Sequence, residues 1–139
     1  MTTAHVRLAD GRDIDWLAAH ERHIERPAIA EKVDRAEFLL AEIDGDRIGW
    51  LRWNHFWDEI PFMNLLYILE PLRGRAHGRT LVDAWEGSMR EKGHRRVLTS
   101  TLSNERAQHF YRRLGYRDSG ALLLPDEALE IILMKELER

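Results

Sequence analysis

The run Glu70-Pro71-Leu72-Arg73-Gly74-Arg75-Ala76-His77-Gly78-Arg79-Thr80-Leu81 constrains this chain more than any other stretch. An apolar segment, Phe62-Met63-Asn64-Leu65-Leu66-Tyr67-Ile68-Leu69, leads into it, and Leu81, Val82, Trp85 and Met89 follow at helical spacing. The pattern predicts a strand, a tight basic loop and the first turn of a helix. That helix runs from Gly78 to Lys92 and is closed by Gly93, and Val97 to Leu102 reads as the next strand. Strand, helix, strand in this order implies a right-handed crossover between parallel strands. The loop then lies at the carboxyl end of the first strand, where open sheets bind ligands.

The first turn of a helix carries N–H groups with no partner inside the helix, and the helix dipole adds partial positive charge there. Gly74 and Gly78 lack a Cβ and allow close approach to the backbone. Arg73, Arg75 and Arg79 add permanent charge and forked donors. Together these features describe a pocket for a phosphate or pyrophosphate. The plain alternative is a surface turn with two glycines and solvated arginines.

At 139 residues the chain suits a single domain, 1–139, with one core. Without cysteine, it has no disulfide, no thiolate metal site and no cysteine nucleophile. A net charge of −3 speaks against a nucleic-acid coat, so the basic loop is a local feature. No apolar run is long enough for a bilayer, and the start, Met1 to Arg7, lacks the apolar centre of a signal peptide. The expectation is a cytoplasmic protein without membrane or metal.

Before the central run, His5 to Leu8 reads as a strand and Asp13 to Ile24 as an amphipathic helix. His20 and His23 on that helix lack the His-Glu-x-x-His spacing of a zinc site and read as solvated. Pro27 suits the first turn of a second helix reaching about Arg35. Glu37 to Ile43 and Arg47 to Trp53 form a hairpin around Asp44-Gly45-Asp46. Phe62 to Leu69 shows little alternation and reads as buried on both faces. After Leu102, Ser103-Asn104 is a candidate cap for a helix over Arg106 to Leu114. Tyr116 to Leu124 and Leu129 to Leu137 read as closing strands.

The connection Asn54-His55-Phe56-Trp57-Asp58-Glu59-Ile60-Pro61 packs aromatic and titratable side chains into a short space. One reading is an ordinary edge of the core. The other is an acceptor pocket formed by Trp53, His55, Trp57, Asp58 and Glu59, with a carboxylate or His55 as base. Trp50, Trp53, Phe56 and Trp57 beside Asp58 and Glu59 would suit a cation that carries apolar surface.

Two segments together carry a resemblance. Arg73-Gly74-Arg75-Ala76-His77-Gly78 resembles the acetyl-CoA loop of the GCN5-related N-acetyltransferase (GNAT) superfamily, Gln/Arg-x-x-Gly-x-Gly/Ala. Asn104 followed by Phe110-Tyr111 and Leu114-Gly115-Tyr116 resembles its second signature. The order of elements agrees over nearly the whole chain. The resemblance implies an α/β (α+β) fold: a mixed, mostly antiparallel twisted sheet of about six to seven strands, with a parallel pair at the cofactor wedge and about four flanking helices. Ala76 departs from the pattern, standing where the middle glycine is usual. Its methyl would be tolerated if φ stays negative.

The resemblance further implies N-acetyl transfer from acetyl-CoA to a small-molecule or peptide amine by direct attack. Pantetheine would pair with backbone near Ile68 and Leu69, in a wedge opened by a bulge in that strand. Pyrophosphate would sit on the amides from Arg75 to Thr80, with Arg73, Gly74, Ala76, His77, Gly78 and Arg79 completing the loop. Asn104 would hold the pantetheine arm, Tyr111 would serve the departing thiolate, Glu59 is the first choice of base, ahead of Glu70, Asp58 and His55, and the Leu69 amide would meet the oxyanion. A non-catalytic acyl-CoA sensor of the same fold is the rival reading. Family members often pair through their later strands, which allows a homodimer.

Overall fold

The computed structural model describes residues 2–138, so the ends of the 1–139 domain reading, Met1 and Arg139, lie outside the described residues. Thirteen elements follow one another, among them strands β1 (His5–Leu8), β2 (Phe38–Ile43), β3 (Asp46–Phe56), β4 (Ile60–Ile68), β5 (Arg96–Leu102), β6 (Arg117–Leu122) and β7 (Glu130–Glu136). The α-helices are α1 (Ile14–His20), α2 (Arg26–Asp34), α3 (His77–Glu91) and α4 (Ala107–Arg113). The strand order is β1-β2-β3-β4-β5-β7-β6. β4 and β5 are parallel, through Phe62–Leu98 and Met63–Thr99, whereas β1–β2, β2–β3, β5–β7 and β6–β7 are antiparallel. The expected mixed sheet with one parallel pair is therefore present. No helix among the described residues is long and apolar enough to cross a membrane.

The chain divides into two compact units. The first comprises residues up to Trp53 together with Leu65–Ala84. Its core gathers Leu17, Ile29, Phe38, Leu40 and Trp50. Asp13, fully buried, receives both terminal nitrogens of Arg7 at 2.8 Å and Nε of Arg47 at 2.8 Å. Helix α1 stops at His20, short of the expected Ile24, because Glu21 turns to extended backbone (ψ 127°). Its buried carboxylate accepts from Trp50 Nε1 at 3.2 Å, Arg52 Nε at 3.1 Å and the His23 amide at 2.9 Å. Helix continuation would pull that carboxylate away from three donors and leave the buried Arg52 without its anion.

The second unit comprises Asn54–Asn64 and Trp85–Arg139. Here Glu86, buried on α3, takes the Tyr116 hydroxyl at 2.8 Å and Lys135 Nζ at 2.8 Å. The odd positions Met63, Val97, Thr99, Thr101, Ile131 and Leu133 are all buried. Two expectations change. β4 is not buried on both faces, since Asn64 and Tyr67 are exposed. Nor do Ser103 and Asn104 cap α4. The position before the helix is Arg106, with no side-chain cap, and Gln108 Nε2 instead donates to the carbonyls of Ser103 (2.7 Å) and Glu105 (2.9 Å).

Candidate active site

The basic loop lies wholly in the first unit. β4 ends at Ile68, a single turn of 3-10 helix covers Glu70–Leu72, and α3 begins at His77. Gly74 and Ala76 both have positive φ, 79° and 68°. Alternating backbone of this kind turns successive amides toward one side. None of the amides from Gly74 to Arg79 donates to a protein group among the described residues. The Thr80 amide and hydroxyl, by contrast, both donate to the Ala76 carbonyl, at 3.1 and 3.0 Å. The open row therefore ends at Arg79, one residue earlier than expected. Ala76 does not keep negative φ, so its methyl is held in the strained left-handed region.

The loop cations differ in freedom. Arg73 Nε donates to the Ile68 carbonyl at 2.7 Å, and its guanidinium lies 4.9 Å from the centre of the Tyr67 ring. It braces the end of β4 against the loop. Arg79 lies 3.7 Å from Asp83, both well exposed, and Arg75 is exposed without an ion pair among the described residues. His77, expected at the edge of the phosphates, is 5% exposed. The Leu69 amide donates to the Ile48 carbonyl at 2.9 Å, so it is occupied and does not serve as the oxyanion donor.

The second unit holds the remaining candidates. Tyr111 on α4 is buried, its ring 5.8 Å from Tyr116 and 5.3 Å from Phe110. Burial pushes its phenol up to about 12, against a partial pull downward from the nearby Thr99 hydroxyl. Thr99 donates its hydroxyl proton to the Met63 carbonyl at 2.9 Å, across the parallel pair. Thr99 carries no sequence signal of its own; only the register of β4 against β5 reveals it. Asn104 is exposed in the loop after β5.

The aromatic connection resolves into a hairpin. Trp57 and Asp58, with φ of 58° and 59°, form its turn, closed by the Glu59 amide on the Phe56 carbonyl at 3.0 Å. A cavity of about 420 Å³ is lined by Asn54, His55, Phe56, Trp57, Phe62, Asn64, Leu98, Ser100, Leu122 and Ile132. His55 and Trp57 line this cavity, while Asp58 and Glu59 are exposed outside its lining. Glu59 stands three residues before Phe62, where β4 first pairs with β5, roughly 10 Å at the rise of a strand, which argues against it as a base in direct contact with the parallel pair. Trp53 is a core residue of the first unit, 3% exposed. The His55 ring lies 5.8 Å from that of His94, whose pKa is lowered by burial first and then by His55 and Lys92. No group of three or more His, Asp or Glu side chains among the described residues is arranged to hold a metal ion.

A mixed sheet with one parallel pair, followed by an amide-lined turn into a long helix, is the architecture of the N-acetyltransferase fold. The profile of the acetyltransferase (GNAT) family matches residues 7–116, and the chain belongs to that family. Among solved structures, it is similar to Ard1 from Thermoplasma volcanium, at 16% identity over 99% of both chains with a TM-score of 0.85. It is also similar to the PaiA N-acetyltransferase from Thermoplasma acidophilum in complex with coenzyme A, at 15% identity over 96% of this chain and 99% of that one, with a TM-score of 0.78. The N-acetylglutamate synthase from Neisseria gonorrhoeae, complexed with coenzyme A and N-acetyl-glutamate, shares 18% identity over 100% of this chain and 36% of its own, with a TM-score of 0.84. No curated protein sequence matches the chain significantly.

Proposed function

We propose that this protein transfers an acetyl group from acetyl-CoA to a primary amine. The observation that carries the reading is the row of unpartnered amides from Gly74 to Arg79, opening a helix of 15 residues beside exposed guanidiniums. Such a row binds a pyrophosphate without reorganisation, because the donors already converge and the helix dipole has the right sign. The coenzyme-bound relatives support the choice of ligand.

In the reaction, the neutral amine nitrogen attacks the thioester carbonyl and the carbonyl oxygen gains the charge. Collapse restores the C=O bond, breaks the C–S bond and sends the electron pair to sulfur. Tyr111 is the donor for that sulfur. Its phenol is pushed up to about 12, while a thiol has a pKa of about 8.5, so complete proton transfer would be uphill by roughly 5 kcal/mol. Tyr111 therefore stabilises the thiolate by donating a hydrogen bond, and the proton that ends on sulfur derives from the attacking nitrogen. The amine must shed a further proton before attack, to water or to a base reached through water.

The test is release of free thiol from acetyl-CoA in the presence of a mixture of primary amines, with coenzyme binding followed by calorimetry. Thiol release that depends on amine, with formation of an amide, is the expected result. Coenzyme binding without thiol release would favour a non-catalytic acyl-CoA sensor, and failure to bind coenzyme would overturn the reading altogether.

A further inference from the structure

The cavity of about 420 Å³ in the second unit has a composition that selects its occupant. It lies on the even-numbered face of the strands, with Phe62 from β4, Leu98 and Ser100 from β5 and Ile132 from β7. Ser100 pairs with Ile132, and Ile132 with Gly120, so the row ends on a residue without a side chain. One end is aromatic: Phe56 lies 4.6 Å from Trp57 and 6.1 Å from Phe62, ring centre to ring centre. Trp57 is held up at the hairpin turn, 74% exposed. The other end is polar. Asn64 Nδ2 donates to Asn54 Oδ1 at 2.7 Å, and Asn64 and Ser100 stand one residue beyond the Met63–Thr99 pair.

Among the described residues, no carboxylate, lysine or arginine lines this cavity, and His55 is the one titratable side chain in its lining. A polyamine or an aminoglycoside, whose charges run the length of the molecule, would find no counter-charge along it. A flat apolar body bearing one amine would place its ring against three aromatic faces and its nitrogen at the amide and hydroxyl end. Along the strands that polar end follows the Met63–Thr99 pair, whose own side chains are buried on the opposite, odd-numbered face. We propose that the cavity seats the acceptor, and that the acceptor is an arylalkylamine, a primary amine joined to an aromatic ring by a short chain. This inference rests on the acetyl-transfer reading.

The test compares phenethylamine and tryptamine with butylamine and spermidine as acceptors for acetyl-CoA, by thiol release, in the intact chain and in Trp57→Ala. The exposure of Trp57 makes that variant safe for folding. The expected result is a kcat/KM at least tenfold higher for the arylalkylamines. Trp57→Ala should raise KM for tryptamine at least fivefold while leaving KM for acetyl-CoA unchanged. Spermidine as the best acceptor, or a Trp57→Ala effect confined to KM for octanoyl-CoA, would overturn the inference and leave acetyl transfer standing. If no amine releases thiol, the acetyl-transfer reading fails, and calorimetric titration of the coenzyme-loaded chain with tryptamine decides the cavity separately. Binding weakened by Trp57→Ala supports the assignment, and no binding overturns it.

Discussion

The β-carbon that Gly49 lacks would lie 2.4 Å from the carbonyl oxygen of Tyr67 and 3.1 Å from Cα of Ile68. Both contacts are to backbone, so no side-chain rotation relieves them. β3 and the end of β4 approach this closely where the Ile48 carbonyl accepts from the Leu69 amide and Arg73 Nε donates to the Ile68 carbonyl. The basic loop starts from this junction. Gly49→Ala should therefore destabilise the protein by about 2 kcal/mol, in the range of overpacked cores, because one backbone must move. Urea unfolding should show a lower midpoint with unchanged slope. Coenzyme affinity should fall as well, since the displaced strand carries the loop.

Ala76 is the loop residue whose backbone and side chain disagree. At φ 68° its methyl faces the following carbonyl, a conformation costing about 1–2 kcal/mol for an L-residue. Glycine removes that strain but loses roughly 0.4–1 kcal/mol through greater freedom of the unfolded chain. Ala76→Gly should thus be neutral to mildly stabilising. Its affinity for acetyl-CoA should be equal or higher, because the amide row keeps its geometry and the backbone opens to the pyrophosphate. Calorimetry that showed weaker binding would mean that the methyl, and not the backbone, makes the contact.

Tyr111→Phe removes one oxygen from a site that remains packed. Turnover should fall about a hundredfold, the low end for a positioned hydrogen-bond donor to developing charge, with coenzyme affinity changed less than twofold. An unchanged turnover would remove Tyr111 from the chemistry. The phenol also predicts an alkaline limit. Burial raises its pKa to about 12, above the ordinary tyrosine value of about 10. The unfolded chain loses the proton first, so the stability that depends on the neutral phenol is complete below pH 10. It is lost as pH rises toward 12. Tyr111→Phe should abolish that part of the alkaline destabilisation.

How much of this was legible depended on whether the signal was local. The strand, basic loop and helix around Arg73 to Arg79 were readable because glycine, charge and helical periodicity sit side by side in the sequence. Tyr111 was readable only with Leu114, Gly115 and Tyr116 beside it, since a lone buried tyrosine has no functional mark. Two misreadings share a cause, a partner that lies far away in the sequence. The extension of α1 to Ile24 failed because the partners of Glu21 lie 29 and 31 residues away, on Trp50 and Arg52. The Leu69 amide looked available because its acceptor, Ile48, belongs to another strand. Asp58 and Glu59 stood among the candidate bases, Glu59 first, because titratable residues in a short connection invite that reading. Positive φ at Trp57 and Asp58 instead makes the segment a tight turn that points its carboxylates to water.

The Glu21–Arg52 pair gives the last prediction. Arg52 is 9% exposed at the side chain and Glu21 not at all, so neither charge has water to fall back on. Removing one partner leaves the other buried and uncompensated, at a cost of about 3–5 kcal/mol. Glu21→Ala should sit at the upper end, because it also strands Trp50 Nε1 and the His23 amide. Arg52→Met should cost less, since the carboxylate keeps those two donors. The double variant Glu21→Gln/Arg52→Met replaces the ion pair by a neutral acceptor and an apolar stem, and it keeps the amide oxygen for Trp50. It should be more stable than Glu21→Ala alone, with a coupling energy of about 2 kcal/mol in a double-mutant cycle. Additive losses would show that each residue acts on its own, and that the turn between α1 and α2 is held by packing and not by this buried charge pair.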